Sequence, residues 1–271
     1  MKELSLNELQ IESLKILKDV HKFCVNNNIT YSVAYGTLIG AIRHKGFIPW
    51  DDDVDIIMPR PDYDRFCATY KSERYKFKCR QNDKKCYLAF ARVYDDERTT
   101  TETMIPWCSE KGGVWIDVFP ADNVSDVEME YKKHKKTLWR KWKTVTVARA
   151  ATAGYDKNKS FVFNLRLLVK KTLTLNGKLT GCLLGSFMKK AKSVMVKGSS
   201  HWSQVTCMDG YEWHRTEDFS STILMPFEDT NVMVMNGYDN VLRECYGDYM
   251  QLPPVEQRVG HSDGLTKFYW K

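Results

Sequence analysis

The chain has 271 residues, 43% of them hydrophobic and 13% aromatic, and a formal net charge of +7. This length and apolar content suit a large folded unit with a sizeable core and exclude a disordered protein. The apolar runs are short and broken by Lys, Arg or Asn, so no membrane-spanning helix is expected.

The opening stretch, MKELSLNELQIESLKIL, lacks the continuous apolar segment of a secretory leader, so a cytoplasmic location is expected. It reads as an amphipathic helix. Ser5 to Glu8 form a capping box, and Leu6, Leu9, Leu14, Leu17, Val20 and Phe23 make an apolar stripe that Asn26, Asn27 and Asn28 end. ITYSVAYG reads as a strand, Gly36-Thr37 as a turn, and TLIGAIRH as a short helix stopped by Gly46. DVDIIMP is a strand closed by Pro59 and Pro61, and PDYDRFCATYKS is a helix. YKFKCR, YLAFARVYD and GVWIDVFP alternate as strands do. Ser125 to Glu128 cap a further helix, and FVFNLRLLVKKTL and GKLTGCLLGSFMKKAKSV supply two more. VMVMNG reads as a last strand and DNVLRECYG as a last helix. The order is α/β, then mostly helical, then α/β again, without an internal repeat.

Eight cysteines (24, 67, 79, 86, 108, 182, 207 and 245) form no CxxC pair, so they are expected reduced and mostly buried. The irregular spacing of Cys79, Cys86 and Cys108 argues against a zinc site. The run KKHKKTLWRKWK carries seven Lys/Arg and no acid. It suits a solvated helix face, or peripheral contact with an anionic membrane through Lys132, Lys133, Lys135, Lys136, Trp139 and Trp142. No zinc-finger, RRM or KH signature marks the chain as a nucleic-acid binder. The apolar residues of the next helix, Phe161, Phe163, Leu165, Leu167 and Leu168, are expected to pack in a core.

The densest chemical signal lies in YGTLIGAIRHKGFIPWDDDVDIIMPRPDY, where Asp51, Asp52, Asp53 and Asp55 crowd into five residues. Residues two apart on a strand point to one face, so Asp53 and Asp55 converge on a single small ion while Val54 and Ile56 face the core. A second strand, Trp115 to Phe119, carries Asp117 alone among apolar neighbours and supplies a third carboxylate when laid beside the first. Three hard oxygen ligands suit Mg²⁺ or Mn²⁺, which commonly bridge to substrate phosphates. Gly36 and Thr37, at a strand-to-helix turn, offer backbone N–H groups and a hydroxyl to phosphate. Arg43, His44 and Lys45 follow to balance its charge, and Arg92 is a second phosphate candidate beside an ordinary salt-bridge role. His261 stands in a late loop, where a histidine is commonly only a surface residue.

These residues resemble the LicD family of the DNA-polymerase-beta-type nucleotidyltransferase superfamily, whose human relatives are the fukutin proteins. The resemblance rests on YGTLIGAIRHKGFIPWDDDVDI, GGVWIDVFPAD and YGDYMQLPP, which together span most of the chain. It implies an α/β fold with a nucleotidyltransferase-type core, a small mixed β-sheet flanked by helices, and a mostly helical insertion. Core, helical part and C-terminal α/β part would cover about 29–124, 125–198 and 199–271 of one LicD-like domain. By motif, Asp53 and Asp55 become metal ligands, Asp117 the third carboxylate, and Gly36 and Thr37 the phosphate-binding turn. Two departures stand out: Thr37 replaces the usual Gly or Ser, and fifteen residues separate it from Asp53. The longer separation is usual for LicD-like proteins.

The resemblance further implies transfer of phosphocholine from CDP-choline to a sugar hydroxyl of a cell-surface glycan, on a lipid carrier in some members of the family, with release of CMP. In that scheme Asp117 is a metal ligand or the base for the acceptor hydroxyl, and Arg43 and Lys45 steady the leaving phosphate. Choline would need aromatic faces, for which Trp50, Tyr87, Tyr94, Trp107 and Trp115 are near in sequence. Phosphoribitol or phosphoglycerol transfer, nucleotidylyl transfer, a DxD glycosyltransferase and a non-catalytic basic binding protein remain as alternatives at this stage.

Overall fold

The computed structural model of the chain describes residues 1–83, 86, 88–103, 112–150, 160–175, 178–206, 210–260 and 266–271. Helix α1, Leu6–Asn26, begins at the expected capping box: the Ser5 hydroxyl accepts from the Glu8 N–H at 3.3 Å, and the Glu8 carboxylate accepts from the Ser5 N–H at 2.8 Å. Its inner face buries Leu9, Ile16, Leu17, Val20 and Cys24, whereas Leu6 at the start of the stripe stays exposed.

Strand β1 is only Ser32–Val33, much shorter than expected, because Tyr35 adopts φ 51° and so ends the extended backbone. Helix α2, Tyr35–Ile39, starts there, widens into a π turn over Gly40–His44 and stops at Lys45, φ 57°. Gly36 and Thr37 therefore lie in the first turn of a helix, not in a separate turn. Gly40 must lack a side chain, since a Cβ would stand 2.4 Å from the Gly46 carbonyl oxygen.

Next come β2, Asp55–Pro59, which starts two residues later than read from sequence, and α3, Arg60–Thr69. They are followed by β3, Lys76–Lys78; β4, Ala91–Asp95; β5, Thr99–Thr103; and β6, Val114–Val124. Three helices occupy the middle: α4, Glu128–Ala150; α5, Phe161–Leu173; and α6, Thr180–Ser193. Then come β7, His201–Ser203; β8, His214–Arg215; β9, Thr222–Phe227; β10, Thr230–Met235; α7, Tyr238–Tyr246; and β11, Thr266–Trp270. Strands β5, β7, β8, β9 and β11 escaped the sequence reading. TTTET in β5 has no apolar alternation, and β9 exposes Ile223 and Leu224.

The main sheet has the order β1-β2-β6-β4-β3, with β2 parallel to β6 and the other pairs antiparallel. The far end of β6 pairs with β7, which pairs with β8; β9–β10 and β5–β11 form separate antiparallel pairs. Strand β6 alternates: Val114, Ile116 and Val118 are fully buried, while Trp115, Asp117 and Phe119 are half-buried on the opposite face. Val54, Ile56 and Met58 join the buried side, with α1 and α3 packed across it. Each such apolar side chain contributes about 1.5–3 kcal/mol by burial, which fixes the register that places Asp117. Cys24, Cys67, Cys79 and Cys86 are buried thiols outside any disulfide, while Cys182 and Cys245 are exposed ones; Cys108 and Cys207 lie outside the described residues.

Candidate active site

Strand register builds the centre of the site. Asp55 on β2 sits directly opposite Asp117 on β6, and Arg92 on β4 sits opposite Asp117 from the other side. Three charged residues thus stand in a row across three strands. Arg92 Nε and Nη2 donate to the two carboxylate oxygens of Asp117 at 2.6 and 2.9 Å, a bidentate pair. The guanidinium also lies 4.0 Å from the centre of the Trp115 ring, which supports it from below. Arg92 is therefore clamped to Asp117, the salt bridge that the sequence reading considered beside a phosphate-binding role.

The loop before β2 brings the remaining acids in. Among the described residues, Asp51, Asp52 and Asp53 offer carboxylate oxygens within 4.8 Å of one another, close enough to share an ion. Paired full charges at that distance repel by about 3 kcal/mol at an effective dielectric of about 20. The acidities show the strain: burial, then Asp53 and Asp52, pushes the Asp51 carboxyl up to about 8. Asp55 is raised well above the ordinary carboxylate range by burial, then by Asp53, Asp117 and Asp51, with Arg92 opposing. Asp51 and Asp52 thus join the acidic group to which sequence reasoning assigned only Asp53, Asp55 and Asp117 as ligands. Asp53 precedes β2 instead of lying in it, and Asp55 is the residue that the register sets beside Asp117.

Several contacts hold the loop in place. Gln10 on α1 donates to the Asp51 carbonyl at 2.9 Å, and the Asp55 N–H donates to the Thr37 hydroxyl oxygen at 3.0 Å. The Asp117 N–H donates to the Val54 carbonyl at 2.9 Å. Thr37 is buried and acts on the backbone of Asp55. Gly36 faces the cluster: a Cβ there would stand 2.7 Å from Asp51 Oδ2. Gly36→Ala keeps a helical position that alanine favours by about 1 kcal/mol, yet it must displace the Asp51 carboxylate. Turnover is expected to fall about ten- to a hundredfold with an unchanged or higher melting temperature; steady-state rates beside thermal unfolding check it.

The basic residues next to α2 tie it to later parts of the chain. Arg43 donates to the carbonyls of Tyr249 and Gln251, at 2.5 and 3.3 Å, and so staples α2 to the YGDYMQ segment. The carbonyl of exposed Lys45 accepts from the Glu228 N–H at 2.8 Å, and Glu228 accepts from the Phe47 N–H. A later segment reaches the acids instead. A Cβ on Gly260 would lie 2.8 Å from Asp52 Oδ2, and Arg258 stands 5.3 Å from the centre of the Trp50 ring. No periodicity in QRVG pointed there.

Aromatic groups near the acids also differ from those named by sequence. Trp115 is covered by Arg92 and Phe268, Trp50 faces Arg258, and Tyr94 packs beside Gly112. Tyr87, Trp107 and His261 lie outside the described residues. Instead, Tyr35, Trp202 and Tyr246 line a narrow, mostly apolar cavity with Glu212 and His214. The Tyr35 hydroxyl donates to Gln204 and Glu212, which holds the start of α2 in its left-handed turn. Burial, then Cys245, Asp55, Glu212 and Asp51, raises the Tyr246 phenol above its ordinary range.

Comparison with known proteins agrees with this geometry. The family model described as LicD/FKTN/FKRP, nucleotidyltransferase domain, matches residues 28–171. That span holds the acidic loop, β2, β4 and β6. The chain is 32% identical over 283 aligned positions to the lipopolysaccharide cholinephosphotransferase LicD of Haemophilus influenzae, covering 96% of this chain and 97% of that protein. An uncharacterized protein of Rickettsia typhi is 37% identical over 82 residues, 29% of this chain and 26% of its own length. A family match over half the chain, and a relative aligned end to end, lead to one conclusion: the chain belongs to the LicD family.

Proposed function

We propose that this phosphotransferase moves phosphocholine from CDP-choline to a sugar hydroxyl of a cell-surface glycan, releasing CMP, on a nucleotidyltransferase-type core. The observation that carries the reading is the row Asp55–Asp117–Arg92 on adjacent strands, with Asp51, Asp52 and Asp53 gathered at its end. Phosphocholine and a glycan acceptor are supported by the relative named for phosphocholine transfer to lipopolysaccharide, and CDP-choline is the donor that the family resemblance implies.

The chemistry assigned to these residues is an in-line displacement. The acceptor oxygen forms a bond to the choline-bearing phosphorus, the bond from that phosphorus to the CMP oxygen breaks, and the hydroxyl proton passes to a carboxylate of the cluster. The donor set is entirely carboxylate oxygen, crowded enough to raise the acidities of Asp51 and Asp55, which fits Mg²⁺ or Mn²⁺ held among Asp51, Asp52, Asp53 and Asp55 with Asp117 adjacent. Such an ion, when bound, neutralises charge on the diphosphate. Both oxygens of Asp117 accept from Arg92, so Asp117 orients and supports charge more readily than it takes a proton. The missing side chain at Gly36 lets the Asp51 carboxylate lie against the first turn of α2.

The test offers CDP-choline, CDP-ribitol and CDP-glycerol with Mg²⁺ and a lipopolysaccharide acceptor. CMP release is expected with CDP-choline, matched by an acceptor gaining one phosphocholine by mass. An acceptor gaining CMP instead would establish nucleotidylyl transfer. Chelation by EDTA is expected to abolish transfer and added Mg²⁺ to restore it; undiminished transfer in EDTA removes the metal from the scheme.

A further inference from the structure

Of the α5 residues expected to pack in a core, Leu165 and Leu168 are exposed instead, and the side chains of Phe161, Phe163 and Leu167 lie outside the described residues. Val162, Leu165, Leu168, Val169 and Leu173 are each between 47% and 71% exposed. At about 100° per residue they occupy one arc of roughly 140°, a continuous stripe along the helix. Arg166 and Lys170 border it on one side, and Lys171 stands on the other. The neighbouring helix α4 does bury its seam: Tyr131, Leu138 and Val145 are fully buried with Leu184 and Phe187 of α6. The basic run of α4 is partly engaged, with Lys132 paired to Glu128 at 2.8 Å and Lys143 over the Trp139 ring.

We infer that α5 is the element that lies on an anionic lipid surface, its stripe in the interface and its cations at the headgroups. Charge identifies the occupant. From Lys157 to Lys197 the sequence holds ten Lys/Arg and no Asp or Glu, so the whole stretch around the stripe is positive. An anionic bilayer complements both features at once, apolar interior and negative rim. A second copy of the chain does not: a two-fold contact through the stripe gathers Arg166, Lys170 and Lys171 of both copies around one seam. Among the described residues no helix is long and apolar enough to cross a membrane, so the contact is peripheral. The inference stands apart from the transfer reaction, although a lipid-anchored acceptor would give such a helix its use.

The experiment is co-sedimentation of the full chain with vesicles containing phosphatidylglycerol, and with phosphatidylcholine alone, across a salt series. Wild type is expected to pellet with the anionic vesicles at low salt and to be released as salt rises. Leu165→Glu/Leu168→Glu, at two exposed positions, is expected to lower the bound fraction at least about tenfold. Its thermal unfolding and its turnover on a short soluble acceptor should match wild type. Wild type remaining in the supernatant at low salt overturns the inference, as does a variant that pellets like wild type. A concentration-dependent dimer that the same variant abolishes would give the stripe to a second copy and overturn it too.

Discussion

Asp53→Asn and Asp55→Asn are each expected to reduce transfer at least about a thousandfold while leaving the fold in place. The physical reason lies in two opposite demands on one group of atoms. Burial and like charge push the Asp51 and Asp55 carboxyls upward, so without a cation the cluster opposes folding. An amide at either position keeps the shape and removes one repelling charge. In EDTA the melting temperature is therefore expected to stay level or rise by about 2–5 °C, on the scale of about 2–4 °C per kcal/mol for a chain of this size. With Mg²⁺ present, the wild type should gain stability that the variants do not. Thermal unfolding with and without Mg²⁺, beside CMP release, reads all of this. Retained transfer with a large loss of melting temperature would make the two aspartates structural.

Arg92→Ala is expected to fail in a different way, losing stability and turnover together. Both partners of this pair are largely buried, with side-chain exposures of 19% for Arg92 and 14% for Asp117. Removing one partner of such a pair costs about 3–5 kcal/mol because it leaves the other charge uncompensated. Here the orphan stands directly beside Asp55. The melting temperature should fall by roughly 6–15 °C, and turnover by about a hundredfold or more as Asp117 loses its orientation. Arg92→Lys should recover only part of both, since a single ammonium cannot reproduce the fork. The double variant Arg92→Ala/Asp117→Asn separates the effects: stability should return towards wild type while transfer stays lost. A role confined to binding donor phosphate predicts instead a raised KM with unchanged stability.

The sequence by itself determined those features whose cause is local. The Ser5–Glu8 box starts α1 because both capping groups lie within four residues. Val54, Ile56, Ile116 and Val118 are buried as their alternation requires, which turns Asp117 to the other face of its strand. The crowding of four aspartates raised the expectation of a cation before any strand was paired, because like charge at that density is costly without compensation. Other features waited for the tertiary structure, because their cause lies in residues distant along the chain. Pairing Asp55 with Asp117 depends on a parallel register across 61 intervening positions, and Arg92 becomes the clamp of Asp117 only once β4 lies on β6. Gly36 matters through Asp51, and Gly260 through Asp52, because chain folding brings backbone against carboxylate. Tyr35 can hold a left-handed turn because Gln204 and Glu212, far along the sequence, take its hydroxyl. Periodicity gave α5 its length and an apolar stripe, but an amphipathic pattern is the same whether the stripe meets a core or a lipid. Only the packing of α4 against α6 left that stripe facing outward.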